Sequence, residues 1–166
     1  MSERVPAPKP NRERNPDAPP KQERPRDELG RPLAHEAENL LHMEDFDALP
    51  IEENHRLGIA YFNAGTYFPA HEAWETCWKQ AKRTPDAEFY KGLSQLGAGF
   101  THLRRANSHG AFTLMRRGAG RIADYESPHL GVDTAALAAS CLAAADRIEA
   151  AQSEGLPVPD IQPPTI

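Results

Sequence analysis

Cysteine, long apolar runs and alternating polar–apolar pattern are all scarce in this sequence, and each shortage excludes a class. The two cysteines, Cys77 and Cys141, lie far apart and neither belongs to a Cys-x-x-Cys pair, so no disulfide framework or zinc knuckle is expected. No apolar run reaches the roughly 18–20 residues that cross a bilayer, and the first residues lack the apolar core of a secretory signal. The expected location is the cytoplasm, with no membrane partner. Period-two alternation never lasts long enough for a convincing strand, which leaves an all-α chain. Charge of one sign is also in short supply: 24 Asp and Glu stand against 19 Lys and Arg. That balance does not favour nucleic acid as a partner. A chain of 166 residues suits one domain rather than two.

What is present is proline, and it is unevenly placed. Residues 1–32 hold half of the 16 prolines, with few apolar side chains, too little to offset the entropy of ordering them. The expectation is a disordered tail over 1–32, then a linker over 33–50 with a possible short helix. Within that linker His35, Glu38 and His42 share a helical face, a spacing able to hold a metal but more usual for solvated side chains. Helical periodicity and caps then predict a compact bundle of about five helices over 51–152. Its markers are Gly65 as a C-terminal glycine, Pro69 in a first turn, Thr84-Pro85 as a start, Ser108 as a cap, and Asp133 or Thr134 at the head of an alanine-rich fifth helix. Residues 153–166 read as a second tail.

The stretch "HEAWETCW" concentrates chemistry. On a helix His71, Glu75 and Trp78 share one face, while Glu72 points about 100° away. An imidazole and a carboxylate one turn apart can ligate one metal ion, although the two-histidine pattern of zinc proteases is absent. The next helix carries Gly92, Gln95, Gly99 and His102 at helical spacing, and such a glycine stripe predicts close approach to the first or second core helix. Antiparallel register sets Gln95 near His71, and puts His102 nearer Asn63.

Phe62-Asn63-x-Gly65-x-Tyr67-Phe68-x-x-His71-Glu72-x-x-Glu75-x-x-Trp78, followed by Phe89-x-x-Gly92-Leu93-x-Gln95-Leu96-x-Ala98 and His102, resembles domain-of-unknown-function family 309 over about residues 52–122. These are small all-helical proteins sometimes labelled metal-dependent hydrolases. The resemblance implies a multihelical bundle whose signature is the His-Glu helix, carried by His71, Glu72 and Glu75, with Gln95 and His102 from the following helix.

Three functions compete for these residues. An enzyme would use His71 and Glu75, with His102, to hold one divalent metal ion that activates water, and Glu72 or Glu75 to accept its proton. Asn63, Gln95 and Trp78 would line the pocket. A binding module would hold a small polar or anionic ligand there without chemistry, or use the acid-free run of Arg104, Arg105, Arg116, Arg117 and Arg121 for a phosphate or RNA backbone. A structural protein would use the same polar groups only to fix helix packing.

Overall fold

Helix boundaries follow from local chemistry, with two departures from the expected caps, one of them met from across the bundle. The computed structural model describes residues 24–166. Pro50 leads into α1 (Ile51–Asn63), which carries Glu52 and Glu53 in its first turn, where the helix dipole favours them. Gly65, at φ +79°, ends the turn as its N–H donates to Phe62 O at 3.0 Å. Pro69 falls in the first turn of α2 (Tyr67–Gln80), where a missing N–H removes no helical bond. In α5 (Thr134–Ser153) the Asp133 carboxylate accepts from Ala136 N, as expected of an N-cap.

The first exception is α4 (Ser108–Ile122), which is capped not by Ser108 but by Asn107, whose side-chain oxygen accepts from Gly110 N at 3.0 Å. Ser108 is already helical. The second is α3 (Ala87–Arg104). The Thr84 hydroxyl donates to Ala81 O at 2.7 Å and accepts from the Asp86 N–H at 3.3 Å, short of the first turn of α3. The Phe89 N–H, an orphan of the first turn, donates instead to the Tyr125 hydroxyl at 3.0 Å, which in turn donates to Pro85 O at 2.6 Å.

The helices pack in chain order, α1 on α2, α2 on α3, α3 on α4 and α4 on α5, and among the described residues no strand forms. Trp74, Phe62, Phe89, Phe100, Leu93, Leu96 and Met115 fill the core, with the Phe62 and Phe100 rings edge-to-face at 5.3 Å. The glycine stripe does not face α1 or α2. Gly92 and Gly99 lie against α4: a Cβ at Gly92 would fall 2.8 Å from Ile122 Cγ2, one at Gly99 3.0 Å from Met115 Cγ, and one on the facing Gly118 2.7 Å from Gly92 O. Close approach was legible from composition; its direction depended on which side of α3 each neighbour took.

Two further expectations meet a different outcome. Residues 1–23 of the expected tail lie outside the described residues, but 24–32 form a turn docked on the bundle, with Asp27 Oδ1 accepting from Leu29 N and Arg31 N. Arg105 donates to Leu29 O through Nε and Nη2 at 3.2 and 2.8 Å, and the Arg26 guanidinium lies 4.8 Å from the Phe68 ring centroid. Residues 33–45 continue as extended chain and turns rather than a short helix, followed by a 3-10 turn at Phe46–Ala48. Beyond α5 the second tail also packs: Ile161 is buried, and Ile166 exchanges two hydrogen bonds with the Asn63 amide. Asn63 is thereby engaged away from His71.

Behind α2, Trp74 Nε1 donates to His55 Nδ1 at 3.1 Å, and His55 Nε2 donates to Leu130 O at 2.9 Å. The ring accepts on one side and donates on the other, so the neutral form fits and the cation does not. Burial, with a contribution from the charge of His129, pushes the His55 pKa down. A histidine depressed in the folded state stabilises above its unfolded pKa, and that stabilisation is lost as pH falls through the folded value. Lowering the pH from 7 to 5 is expected to lower the urea midpoint, and His55→Gln to make the fall shallower; equal slopes for the two proteins would assign the acid sensitivity elsewhere.

Candidate functional site

The candidate site begins with a missing side chain. Gly97 on α3 faces the backbone of α2, where a Cβ would lie 2.9 Å from His71 N and 3.0 Å from His71 Cα. This close approach brings the imidazole onto the α3 backbone: His71 Nδ1 lies 2.9 Å from Ser94 O and 2.9 Å from Ser94 Oγ, and Ser94 Oγ lies 3.2 Å from His71 O. A carbonyl only accepts, so Nδ1 carries a proton, and Nε2 is left on the other side of the ring.

Nε2 faces two carboxylates. Nε2 lies 3.9 Å from Glu72 Oε1 and 3.7 Å from Glu75 Oε2, too far for hydrogen bonds. The three side chains are a quarter to a third exposed. Among the described residues they form the one group of three or more acid, histidine or cysteine donors within mutual reach, with ligand atoms all within 4.8 Å of one another. Glu72 joins despite its position one residue round the helix, because its flexible side chain bridges the angular gap. Burial raises the Glu72 pKa, partly offset by the charge of His71 and reinforced by Glu75. Glu75 also has Lys79 Nζ 3.8 Å from its Oε1.

The other expected site residues go elsewhere. Gln95, expected beside His71, accepts from Arg121 Nε at 3.0 Å; its place is taken by Ser94, one residue earlier. His102 Nδ1 accepts from the Asn107 amide at 3.0 Å, at the end of α3, outside the three-donor group; burial, then the charges of Arg105 and His71, lower its pKa. Trp78 is flanked by Lys82 and Lys91, whose Nζ atoms lie 5.6 and 5.3 Å from its ring. The five arginines do not form one surface. Arg104 lies over Tyr67, Arg105 holds Leu29, Arg116 pairs with Asp146 and Glu149, and Arg121 pairs with Glu88, while Arg117 is exposed. The His35, Glu38 and His42 side chains, without a helix beneath them, form no such donor group.

Ser94 and Gly97 went unmarked in the sequence. A small residue three positions from a glycine on a core helix was the available signal, and it was masked by the longer stripe of Gly92 and Gly99. Gly97→Ala is expected to cost about 1–3 kcal/mol, because the new methyl meets α2 backbone that no rotamer change can move. A denaturation midpoint equal to the unmodified protein's would mean that α2 and α3 separate freely.

An ion at about 2.1 Å from each of two donors holds them about 3–3.6 Å apart at angles of 90–120°. The observed 3.7 and 3.9 Å come within a small side-chain rotation of that spacing. A metal-ligating imidazole whose other N–H is held by a main-chain carbonyl is the usual arrangement around protein-bound metals. The donor set therefore fits a divalent ion. No curated protein and no solved structure matches the chain at a meaningful level. A family model described as "Domain of unknown function (DUF309)" matches residues 55–114, a span that begins within α1, ends within α4 and contains His71, Glu72, Glu75, Ser94 and Gly97. The His-Glu helix thus lies inside the span, residues 55–114, that matches the model of that family.

Proposed function

We propose that His71, Glu72 and Glu75 bind one divalent metal ion and that the domain is a metal-dependent hydrolase. The observation that carries the proposal is the orientation of His71: Nδ1 is tied to Ser94 O while Nε2 faces two carboxylates without a hydrogen bond to either. Protonated histidine used only as packing would close those gaps to hydrogen-bond length. One imidazole and two carboxylates suit a first-row transition ion better than calcium or magnesium. Three protein donors leave coordination positions open, as catalytic rather than structural sites do, and an ion there supplies Lewis acidity toward water.

The test is a titration of metal-stripped full-length protein with Mn²⁺ and Zn²⁺, read by calorimetry. One equivalent bound at micromolar concentration or tighter is the expected result. Absence of binding at millimolar ion would leave the cluster as a proton-sharing element of helix packing, and the hydrolase proposal would go with it.

A further inference from the structure

The chain preceding α1 lies against the metal-ligand cluster and brings charge of the opposite sign. A recess of about 160 Å³ is lined by Arg24, Arg26, Asn39, Phe68 and Glu72, among others. Glu72 thus belongs both to the donor cluster and to the lining of a recess that Arg24 and Arg26 share. Each arginine is fixed by one main-chain contact: Arg24 Nε donates to Leu33 O at 2.9 Å, and Arg26 Nη1 donates to Gly30 O at 2.6 Å. Asn39 braces the wall, accepting from Arg26 N at 2.9 Å and donating to Leu41 O at 2.7 Å. Among the described residues neither arginine has a carboxylate within ion-pair distance, so donors remain on both guanidinium groups.

We infer that this recess is the substrate's anion subsite: Arg24 and Arg26 receive a small oxyanion, a phosphate or carboxylate group, beside the ion held by His71, Glu72 and Glu75. The inference rests on the metal reading for its catalytic meaning, but not for the recess itself. Guanidinium forks match the planar or tetrahedral oxygens of such groups. The volume admits a group of a few heavy atoms and falls short of the roughly 300 Å³ at which drug-sized ligand pockets begin, which excludes a large apolar ligand. A bound oxyanion also brings negative charge to a recess that two arginines line.

The experiment titrates inorganic phosphate, and separately acetate, into full-length protein with and without Mn²⁺. Calorimetry reads affinity, and ³¹P relaxation reads proximity to the ion. Phosphate or acetate is expected to bind at millimolar concentration or below, with the preferred anion identifying the group. Arg24→Ala/Arg26→Ala should weaken anion binding at least tenfold while Mn²⁺ affinity holds or rises, since two nearby cations have gone. Because Arg26 also stacks on Phe68, Arg24→Ala alone and Arg24→Lys/Arg26→Lys provide variants that leave that contact or its charge in place; each should weaken binding less than the double alanine. No anion binding by the unmodified protein, or equal binding by all variants, overturns the inference. If Mn²⁺ fails to bind, the metal reading fails separately, and arginine-dependent phosphate binding to the metal-free protein still decides the recess.

Discussion

Trp74→Ala is expected to remove about 3–5 kcal/mol of stability, the usual cost of deleting a fully buried large aromatic side chain. The indole has no solvent exposure, packs 6.0 Å from the Phe62 ring and lies so close to α1 that a Cβ on Gly58 would sit 2.6 Å from its ring atoms. Its loss leaves a cavity between α1 and α2 and orphans the Nδ1 acceptor of His55. Natural domains have only about 5–15 kcal/mol in hand, so the substitution removes a large share. Urea denaturation checks it, and Trp74→Phe separates the causes: that variant keeps most of the packing and loses the N–H donor, so its midpoint should fall between the two. A Trp74→Ala midpoint within experimental scatter of the unmodified protein would show that the bundle closes around the gap at no cost.

His71→Ala is expected to reduce metal affinity by more than about 100-fold, beyond the 10–100-fold typical of losing a partner that merely orients a ligand. The fold should survive, since the side chain is a quarter exposed and the hydrogen bond it gives to Ser94 O is worth about 0.5–1.5 kcal/mol. Metal content and thermal midpoint on the same samples read both effects. Ser94→Ala supplies the contrast: it removes the hydroxyl but keeps the carbonyl that orients Nδ1, so metal binding should fall by less than about tenfold. Full metal binding by His71→Ala, or a large loss of stability with no metal in either protein, would sink the assignment of the imidazole as a ligand.

The sequence and the structure agree where the determining forces are local. The 3.6-residue period, the αL glycine at Gly65 and the aspartate at Asp133 act within one or two turns, and all five helices begin and end within a few residues of where these signals place them. Legibility fails where a partner arrives from elsewhere in the chain. The orphan N–H of Phe89 is met by Tyr125, 36 residues away, and nothing near Thr84 announces it. His71 was placed within a residue of its partner by counting from the turn between α2 and α3. On a helix, however, one residue is about 100°, enough to exchange Gln95 for Ser94. The same angular error hid Gly97, which faces α2, behind Gly92 and Gly99, which face α4. Composition also misjudged residues 24–32, because proline and charge argue against self-sufficient folding but do not forbid docking through a few specific contacts such as Arg105 to Leu29 O.

That docked segment lies wholly outside the span that matches the family, whereas every donor atom of the cluster lies inside it. Donors and doorway are therefore encoded on separable stretches of one chain. Substitutions in the doorway carry little risk to the bundle, since the core is built from residues beyond it, and they are free to accumulate while the donors stand still. Related chains that share the helices should therefore diverge first in what they admit to the cluster, and transplanting residues 24–45 between two of them would transfer that preference without touching a helix.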